Sequence, residues 1–150
     1  MFAQLRARAH DERGITLIEL VVVCLVIGII AAIAIPSFLN QKSKGSDAEA
    51  KSTAVAAATA MEACATEDNG SYATCSKPSL ESIEPTLSGA DARLAVSSTD
   101  NDYEIVVTSS RDAGAVTFTM SRAAGGSTTR TCTTGVANKG ACSAQSGGVW

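Results

Sequence analysis

One carboxylate, Glu19, lies near the start of an apolar stretch, residues 15–36, that is long enough to cross a lipid bilayer. A charged side chain inside a membrane costs about 2.5–3.5 kcal/mol on insertion scales. A plain membrane anchor gains nothing from that cost, so the carboxylate needs a functional reason. The polar residues Glu12 and Arg13 and the small Gly14 come directly before the stretch. The sequence therefore predicts a junction to be cut, followed by a helix whose one charge requires a partner.

This junction resembles the N-terminus of type IV prepilins and of the related pseudopilins. The resemblance is carried by Gly14-Ile15-Thr16-Leu17-Ile18-Glu19-Leu20 and by the apolar run that ends in Ala34-Ile35-Pro36. It combines a glycine before the cut, a glutamate at the fifth mature position and a proline at the twenty-second, and it covers about a quarter of the chain. The first mature residue of that family is usually Phe, whereas this chain has Ile15, which is also apolar.

The resemblance implies processing and assembly. A membrane-embedded aspartic peptidase, the prepilin peptidase, would cut between Gly14 and Ile15 and methylate the new amine of Ile15. Glu19 would then meet the N-terminal ammonium of a neighbouring subunit as the helices pack into a filament core. Opposite charges attract far more strongly at low dielectric than in water, and the amine exists only after cleavage. The implied partners are identical subunits, the prepilin peptidase, a pilus assembly platform in the inner or cytoplasmic membrane and, before assembly, membrane lipid.

Two other interpretations compete with this one. The first is a secretory signal peptide with a small-x-small cleavage site at Ala32-Ile33-Ala34. Its apolar core is normally 7–15 residues, whereas the uncharged run here extends over residues 20–39. The second is the single-span anchor of a small exported domain. Neither accounts for Gly14 and Glu19 together.

The distribution of charge indicates orientation. The leader's three arginines outnumber its two carboxylates, and no basic residue follows until Lys42, which predicts a cytoplasmic N-terminus and an exterior C-terminus. The full chain has a formal charge of −3, so nothing favours nucleic-acid binding. Lys42, Lys44 and Lys51 form a small basic cluster beside Asp47 and Glu49, which we interpret as a solvated helix face.

Helical patterns extend beyond the apolar stretch. Gly28 and Pro36 both weaken helix, so we expect a kink or a local break between them. The resemblance implies that this interval loses helix in the filament, and the alternative is that the helix of the free subunit merely bends. A second helical piece is predicted to restart after Gly45, with Ser46-Asp47-Ala48-Glu49 as a capping box. An apolar stripe follows, and it is formed by Ala50, Ala54, Ala58, Met61 and Ala65. This helix is expected to end near Glu67.

The rest of the chain predicts a loop and then a sheet. Residues 76–89 contain two prolines and little periodicity, and are interpreted as a connector. Strands are predicted at residues 92–98, 103–109, 115–122 and 128–133, with an irregular tail to Trp150. The predicted fold is therefore α+β: a long N-terminal helix packed on a small antiparallel sheet, as in type IV pilins. The expected divisions are a leader (1–14), a membrane and filament-core helix (15–39), its amphipathic continuation (40–67), a connecting loop (68–91) and a head (92–150).

Four cysteines can staple the small domain that follows the apolar stretch. Each of the pairs Cys64 with Cys75 and Cys132 with Cys142 brackets one turn-like segment, so local pairing is favoured among three possible connectivities. Zinc is the rival interpretation, but the usual ligand spacing is absent and the one histidine, His10, lies in the leader. Disulfides require an oxidising exterior, which agrees with the predicted orientation. Cys24 is interpreted as a small packing residue.

No catalytic constellation is apparent, so we predict a structural protein without a cofactor or metal. Asp100, Asn101 and Asp102 are interpreted as a hairpin turn and not as calcium ligands. The favoured function is a type IV pilin of an extracellular filament that serves adhesion, motility or uptake. Cys132 and Cys142 resemble the disulfide-bounded C-terminal loop of pilins, and no acidic residue follows Asp112 as a secretion pseudopilin's calcium loop would require. A pseudopilin of a secretion or DNA-uptake system and a simple anchored domain are the alternatives.

Overall fold

A computed structural model describes residues 15–110, 116–134, 142–143 and 147–150, without the side chain of Asn40. The chain divides into two compact units, Met1–Leu39 and Asn40–Trp150, which are described separately below. The leader with His10 and Gly14, and the predicted turn at residues 111–114, lie outside the described residues.

One uninterrupted helix, α1 (Leu17–Glu67), runs from the apolar stretch into the second unit. The predicted restart after Gly45 is wrong, because α1 continues through this glycine and Ser46 caps nothing. One glycine costs about 1 kcal/mol relative to alanine, too little to break a helix supported on both sides. Gly28 and Pro36 also lie inside α1. The structure therefore shows no break in the single chain, and the loss of helix on assembly stays a prediction.

A five-stranded antiparallel meander forms the second unit's sheet. Its strands follow chain order, β1-β2-β3-β4-β5. They are β1 (Leu94–Ser98), β2 (Tyr103–Thr108), β3 (Val116–Arg122), β4 (Thr128–Thr134) and β5 (Gly148–Val149). The first four confirm the predicted strands to within two residues. The fifth was missed because two residues carry no alternating pattern.

The predicted connector contains helices, which corrects the loop interpretation. Residues Lys77–Ile83 form α2, and a 3₁₀ helix follows at Pro85–Arg93. Each begins with a proline in its first turn, where the missing N–H costs no helical hydrogen bond. Seven residues are too few for a helical period to show in a sequence, and this explains the error.

The hydrophobic core lies between α1 and the inner face of the sheet. The predicted alternation on β3 is confirmed, since Val116, Phe118 and Met120 are buried while the threonines between them are half-buried. All five residues of the predicted α1 stripe are buried, and so are Ala57 and Ala60. Small side chains on this face leave room for the sheet to approach the helix, and the sheet and α2 supply the bulk through Ile105, Val107 and Leu80.

Candidate functional site

The N-terminal part of α1 exposes its apolar side chains to solvent. Leu17 is 80% exposed and Ile15 is 74% exposed, and the large apolar residues onward to Leu39 are exposed as well. By length and composition, α1 is the one helix among the described residues that is able to cross a membrane. Contact between so large an apolar surface and water is unfavourable. It needs lipid or other protein to cover it.

Thr16 caps the N-terminus of this helix. Its Oγ1 accepts a hydrogen bond from the Glu19 backbone N–H at 3.2 Å, and its carbonyl accepts one from the Leu20 N–H at 3.1 Å. Thr16 and Glu19 therefore occupy the N-cap and N3 positions. Sequence reasoning missed this cap, although the Thr-x-x-Glu spacing is the signature of a capping box. The helix thus begins at Leu17, the third residue after the predicted cut.

Glu19 lies in the first turn of α1, where the helix dipole favours a negative charge. Its side chain and that of Ile15 are exposed, so both are accessible to another molecule. Cys24 is likewise exposed and is a free thiol. Gly14, the other half of the predicted cleavage site, lies outside the described residues. The structure thus places a carboxylate close to the proposed mature N-terminus.

Two disulfides link neighbouring segments of the second unit. Cys64 near the end of α1 bonds to Cys75 before α2, with Cα atoms 5.9 Å apart. Cys132 of β4 bonds to Cys142, with Cα atoms 5.7 Å apart. These are the two local pairs that the sequence favours. They hold the C-terminal end of α1 to the segment before α2, and β4 to a residue nearer the C-terminus.

A polar cluster, the Glu62 cluster, joins α1 to the sheet. Tyr72 donates its hydroxyl hydrogen to Glu62 Oε2 at 2.8 Å, and Tyr103 donates to Oε1 at 3.1 Å. Arg122 Nη1 donates to the same Oε1 at 3.1 Å. The two tyrosine rings meet edge-on with centroids 5.0 Å apart. Sequence reasoning missed this cluster because its members come from distant parts of the chain.

The two tyrosines of the Glu62 cluster remain protonated at neutral pH. Burial, followed by the charge of the Glu62 carboxylate, raises the pKa of Tyr103 to about 12. Burial and the hydrogen bond to Glu62 also raise the pKa of Tyr72. Both hydroxyls are therefore donors at physiological pH, and the cluster fastens α1 to the sheet without reactive character.

The solvated-face interpretation of residues 42–51 is partly wrong. Lys42 and Lys44 are exposed, as predicted. Asp47 is fully buried and accepts a hydrogen bond from the Ser109 hydroxyl at 2.8 Å. The Lys51 ammonium lies 5.3 Å from the Phe118 ring centroid and 5.6 Å from that of Trp150. The long aliphatic stem of lysine allows it to pack on aromatic rings, which a charge pattern does not reveal.

The loop at Asp100 and Asp102 is a turn, as predicted. The Thr99 N–H donates to the Asp102 carbonyl at 2.9 Å, and Ser71 donates its hydroxyl hydrogen to Asp100 Oδ1 at 3.2 Å. Within the described part of the chain, no three His, Cys, Asp or Glu residues are placed to hold a metal ion.

Comparison with known proteins agrees with the resemblance to type IV prepilins. The family profile of the prokaryotic N-terminal methylation motif matches residues 10–35. The chain is 36% identical over 119 residues to the type IV narrow pilus major component PilA5 of Thermus thermophilus, a match covering 79% of this chain and 92% of that protein. It is 34% identical over 111 residues to the type II secretion system core protein G of Escherichia coli, covering 66% and 75%.

A shorter match joins the N-terminal region to the type IV major pilin protein PilA of Myxococcus xanthus. The identity is 48% over 50 residues, which is 33% of this chain but only 23% of that pilin. No solved structure matches the chain. The relatives are structural pilins and pseudopilins, so the chain is a structural subunit and not an enzyme. The exposed apolar helix, the matched motif and the two long matches together show that the chain belongs to the type IV pilin-like family, which includes pilins and pseudopilins.

Proposed function

We propose that this chain is a type IV pilin, the repeating subunit of an extracellular filament that serves adhesion, motility or uptake. The observation that carries the proposal is the exposed apolar half of α1, with one carboxylate in its first turn. None of the described residues of its unit, 15–39, covers this surface. Lipid covers it in the precursor, and neighbouring copies of the same helix cover it in the filament.

Cleavage between Gly14 and Ile15 by the prepilin peptidase creates the group that Glu19 requires. The new N-terminal amine on Ile15, methylated after the cut, is a cation at neutral pH. When helices pack side by side away from water, this ammonium meets Glu19 of a neighbouring copy. A buried pair that loses one partner is destabilised by about 3–5 kcal/mol. Uncleaved precursor has no such amine and stays in the membrane.

This proposal also assigns a place to the other parts of the chain. Residues 15–39 span the membrane and then form the filament core, while residues 40–67 carry the head, with the segment at 68–91 and the sheet region at 92–150 facing the exterior. The precursor crosses the membrane once with its N-terminus in the cytoplasm, as the positions of the basic residues indicate. An assembly platform in that membrane receives the cleaved subunit.

A pseudopilin of a secretion or DNA-uptake system is the second candidate. The match to the type II secretion core protein G supports it, since it extends over three quarters of that protein. The match to the narrow pilus component extends over more of its relative. The Cys132–Cys142 bond also resembles the closed C-terminal loop of pilins. These two observations favour the pilin.

Electron microscopy of the native cells tests the proposal. Antibody raised against the exterior residues is expected to decorate long surface filaments, which are absent when the gene is deleted. Intact-mass measurement of sheared filaments is expected to show loss of the first 14 residues and one added methyl group. Label confined to the cell envelope, without surface filaments, would instead support the pseudopilin. A mature N-terminus at Ile35 would support a secretory signal peptide.

A further inference from the structure

The helix α1 ends in a tight turn, the Asn69 turn, formed by residues 68–70. Asn69 and Gly70 both have left-handed backbone conformations, with φ angles of 51° and 89°. The Gly70 N–H donates to the Ala65 carbonyl at 2.7 Å, and the Asp68 N–H donates to the same carbonyl at 3.2 Å. Since α1 ends at Glu67, the Gly70 bond is that of a Schellman motif. Asparagine is an accepted residue at the left-handed position of this motif.

An asparagine followed by glycine is chemically labile, because the glycine nitrogen has no side chain beside it. The Gly70 nitrogen can attack Cγ of Asn69, so that an N–Cγ bond forms and the Cγ–Nδ2 bond breaks. Nδ2 then leaves as ammonia and takes the proton of the Gly70 N–H. Water opens the resulting cyclic imide at one of its two carbonyls. Opening at Cγ gives aspartate, and opening at the original peptide carbonyl gives isoaspartate.

The fold leaves this site open to water but keeps its nucleophile occupied. Asn69 and Gly70 are both exposed. A Cβ added at Gly70 would meet nothing within 4 Å, so there is room for the imide ring. The Gly70 N–H, however, is bound to the Ala65 carbonyl at 2.7 Å and has to be released before its nitrogen can attack Cγ. Deamidation therefore requires the Asn69 turn to open.

Three contacts hold the Asn69 turn closed. The Cys64–Cys75 disulfide closes a loop around it. The Thr74 hydroxyl donates to Asp68 Oδ2 at 2.7 Å, and this bond fixes the first residue of the turn. The Tyr72 N–H donates to the Asp100 carbonyl at 3.2 Å, which ties the chain after the turn to the loop between β1 and β2. Local opening is rare while such contacts persist.

The product of deamidation does not fit the closed turn. It carries a new carboxylate at the C-terminal end of α1, where the helix dipole disfavours negative charge. The last turn of α1 contains no basic residue, and Glu67 and Asp68 already bring two carboxyl groups to this place. Isoaspartate also lengthens the main chain by one carbon atom, which displaces the Gly70 nitrogen from the Ala65 carbonyl. A turn that has reacted is therefore less stable than the original one.

We propose that Asn69 is a self-deamidation site that is gated by the Asn69 turn. The amide is preserved while the Gly70 N–H is bound to Ala65, and it is lost when the turn opens. Asn69 thus records irreversibly how often this end of α1 has opened. The proposal does not depend on the filament function, because it concerns a turn within the second unit.

Incubation in heavy-oxygen water tests the gate. The full chain is purified in detergent and kept at mildly alkaline pH, folded or unfolded by denaturant, and its peptides are mapped by mass spectrometry. The label in Asn69 is expected to appear at least about tenfold faster in the unfolded chain, because the reaction occurs only from the open state. Asn101 is exposed but is followed by Asp102, so it is the internal control and is expected to gain little label in either state.

Variants separate the gate from the reactive amide. Thr74→Val retains the disulfide, and the double variant Cys64→Ala with Cys75→Ala removes it, so both are expected to label Asn69 faster than the folded wild type. Thr74→Val remains informative if the double variant fails to fold. Asn69→Gly keeps a residue suited to the left-handed position and removes the amide. It is expected to give no label there and an unchanged unfolding midpoint.

Two results would overturn the proposal. If Asn69 gains no label in the unfolded chain, it is not a reactive site. If the folded and unfolded wild type gain label equally fast, or if neither loosened variant is faster than the folded wild type, the turn does not gate the reaction.

Discussion

The two halves of α1 differ in whether their apolar side chains are buried or exposed. From Ala50 to Ala65 the helix uses alanine and methionine, and it buries them against a sheet of its own chain. From Ile15 to Leu39 it uses isoleucine, valine and leucine, and it leaves them exposed. Small residues suit close packing within one chain, whereas large aliphatic residues present the greatest apolar area to lipid or to other copies. The second half of α1 thus contributes to the core of its own chain, whereas the first half offers its apolar side chains to lipid or to other copies.

The acidic side chains of the two halves differ in the hydrogen bonds that they form within the chain. In the second half of α1, Glu62 has three side-chain donors and Asp47 accepts a hydrogen bond from Ser109. In the first half, Glu19 contacts its own chain through its backbone, at the Thr16 cap. Changes in the first half are therefore expected to affect assembly, and changes in the second half to affect the stability of the head.

The largest expected effect is that of Glu19→Ala on assembly. The head does not involve Glu19, so the variant is expected to be inserted, cleaved and folded. An incoming ammonium then enters the filament core unpaired, at a cost of about 3–5 kcal/mol. The affinity of each subunit addition is expected to fall by about two to three orders of magnitude, so filaments are expected to be lost or strongly reduced. Counting sheared filaments after mass confirmation of cleavage measures it, with Glu104→Ala as the matched carboxylate control. Normal yield would exclude Glu19 as the assembly contact.

The stability of the second unit, by contrast, is expected to depend on its disulfides. Replacing Cys64 and Cys75 together by alanine is expected to lower the free energy of unfolding by about 3 kcal/mol, because the loop between them is released in the unfolded chain. Denaturant titration of the full chain in detergent measures this through Trp150, the one tryptophan. Cys24→Ala is the control and is expected to leave the midpoint in place. An equal shift in both variants would contradict the separation between the two halves.

Sequence patterns predicted the features that depend on local order. The alternation on β3 follows from a period of two residues, the alanine stripe on α1 from the helical period, and the apolar length from an unbroken run of apolar residues, and each was found. The local disulfide pairs follow from short separations. Each of these features is determined by residues that are close along the chain.

The missed features depend on distant contacts or on small energy differences. Asp47 was predicted to lie on a solvated helix face, but it is buried and bonded to Ser109, a residue far along the chain. The helix at Gly45 was predicted to restart because propensity disfavours glycine, yet the packing of the alanine stripe outweighs about 1 kcal/mol. The Glu62 cluster and the position of Lys51 required the folded sheet, which no periodicity reveals.

Tyr103→Phe tests the Glu62 cluster and has a smaller expected effect. Loss of a hydrogen bond to a carboxylate is expected to lower the free energy of unfolding at neutral pH by about 1.5–3 kcal/mol. In the wild-type chain the pKa of Tyr103 is about 12 when folded and about 10 when unfolded. A raised folded pKa gives stability that is lost as the pH rises from the lower value to the higher one.

Denaturant midpoints measured by Trp150 fluorescence between pH 10 and 12 check this pH dependence. The wild-type midpoint is expected to fall across that range, and the Tyr103→Phe midpoint to fall less. Cys24→Ala serves as a control for alkaline damage, since it retains both tyrosines. Parallel slopes in wild type and Tyr103→Phe would show that Tyr103 does not titrate with unfolding.

The smallest expected effect is that of Thr16→Ala, and it tests whether the apolar half has any local order of its own. Loss of an N-cap side chain costs about 1 kcal/mol, because the Glu19 N–H loses its acceptor. Hydrogen exchange of that amide, measured on the cleaved chain in detergent, is expected to accelerate about fivefold. Thr16→Ser keeps the hydroxyl and is expected to preserve protection. Thr53→Ala removes a hydroxyl that bonds to the Glu49 carbonyl inside the helix, so it should leave exchange at Glu19 unchanged. Unaltered exchange in Thr16→Ala would mean that another group accepts this N–H, and that the first turn does not depend on Thr16.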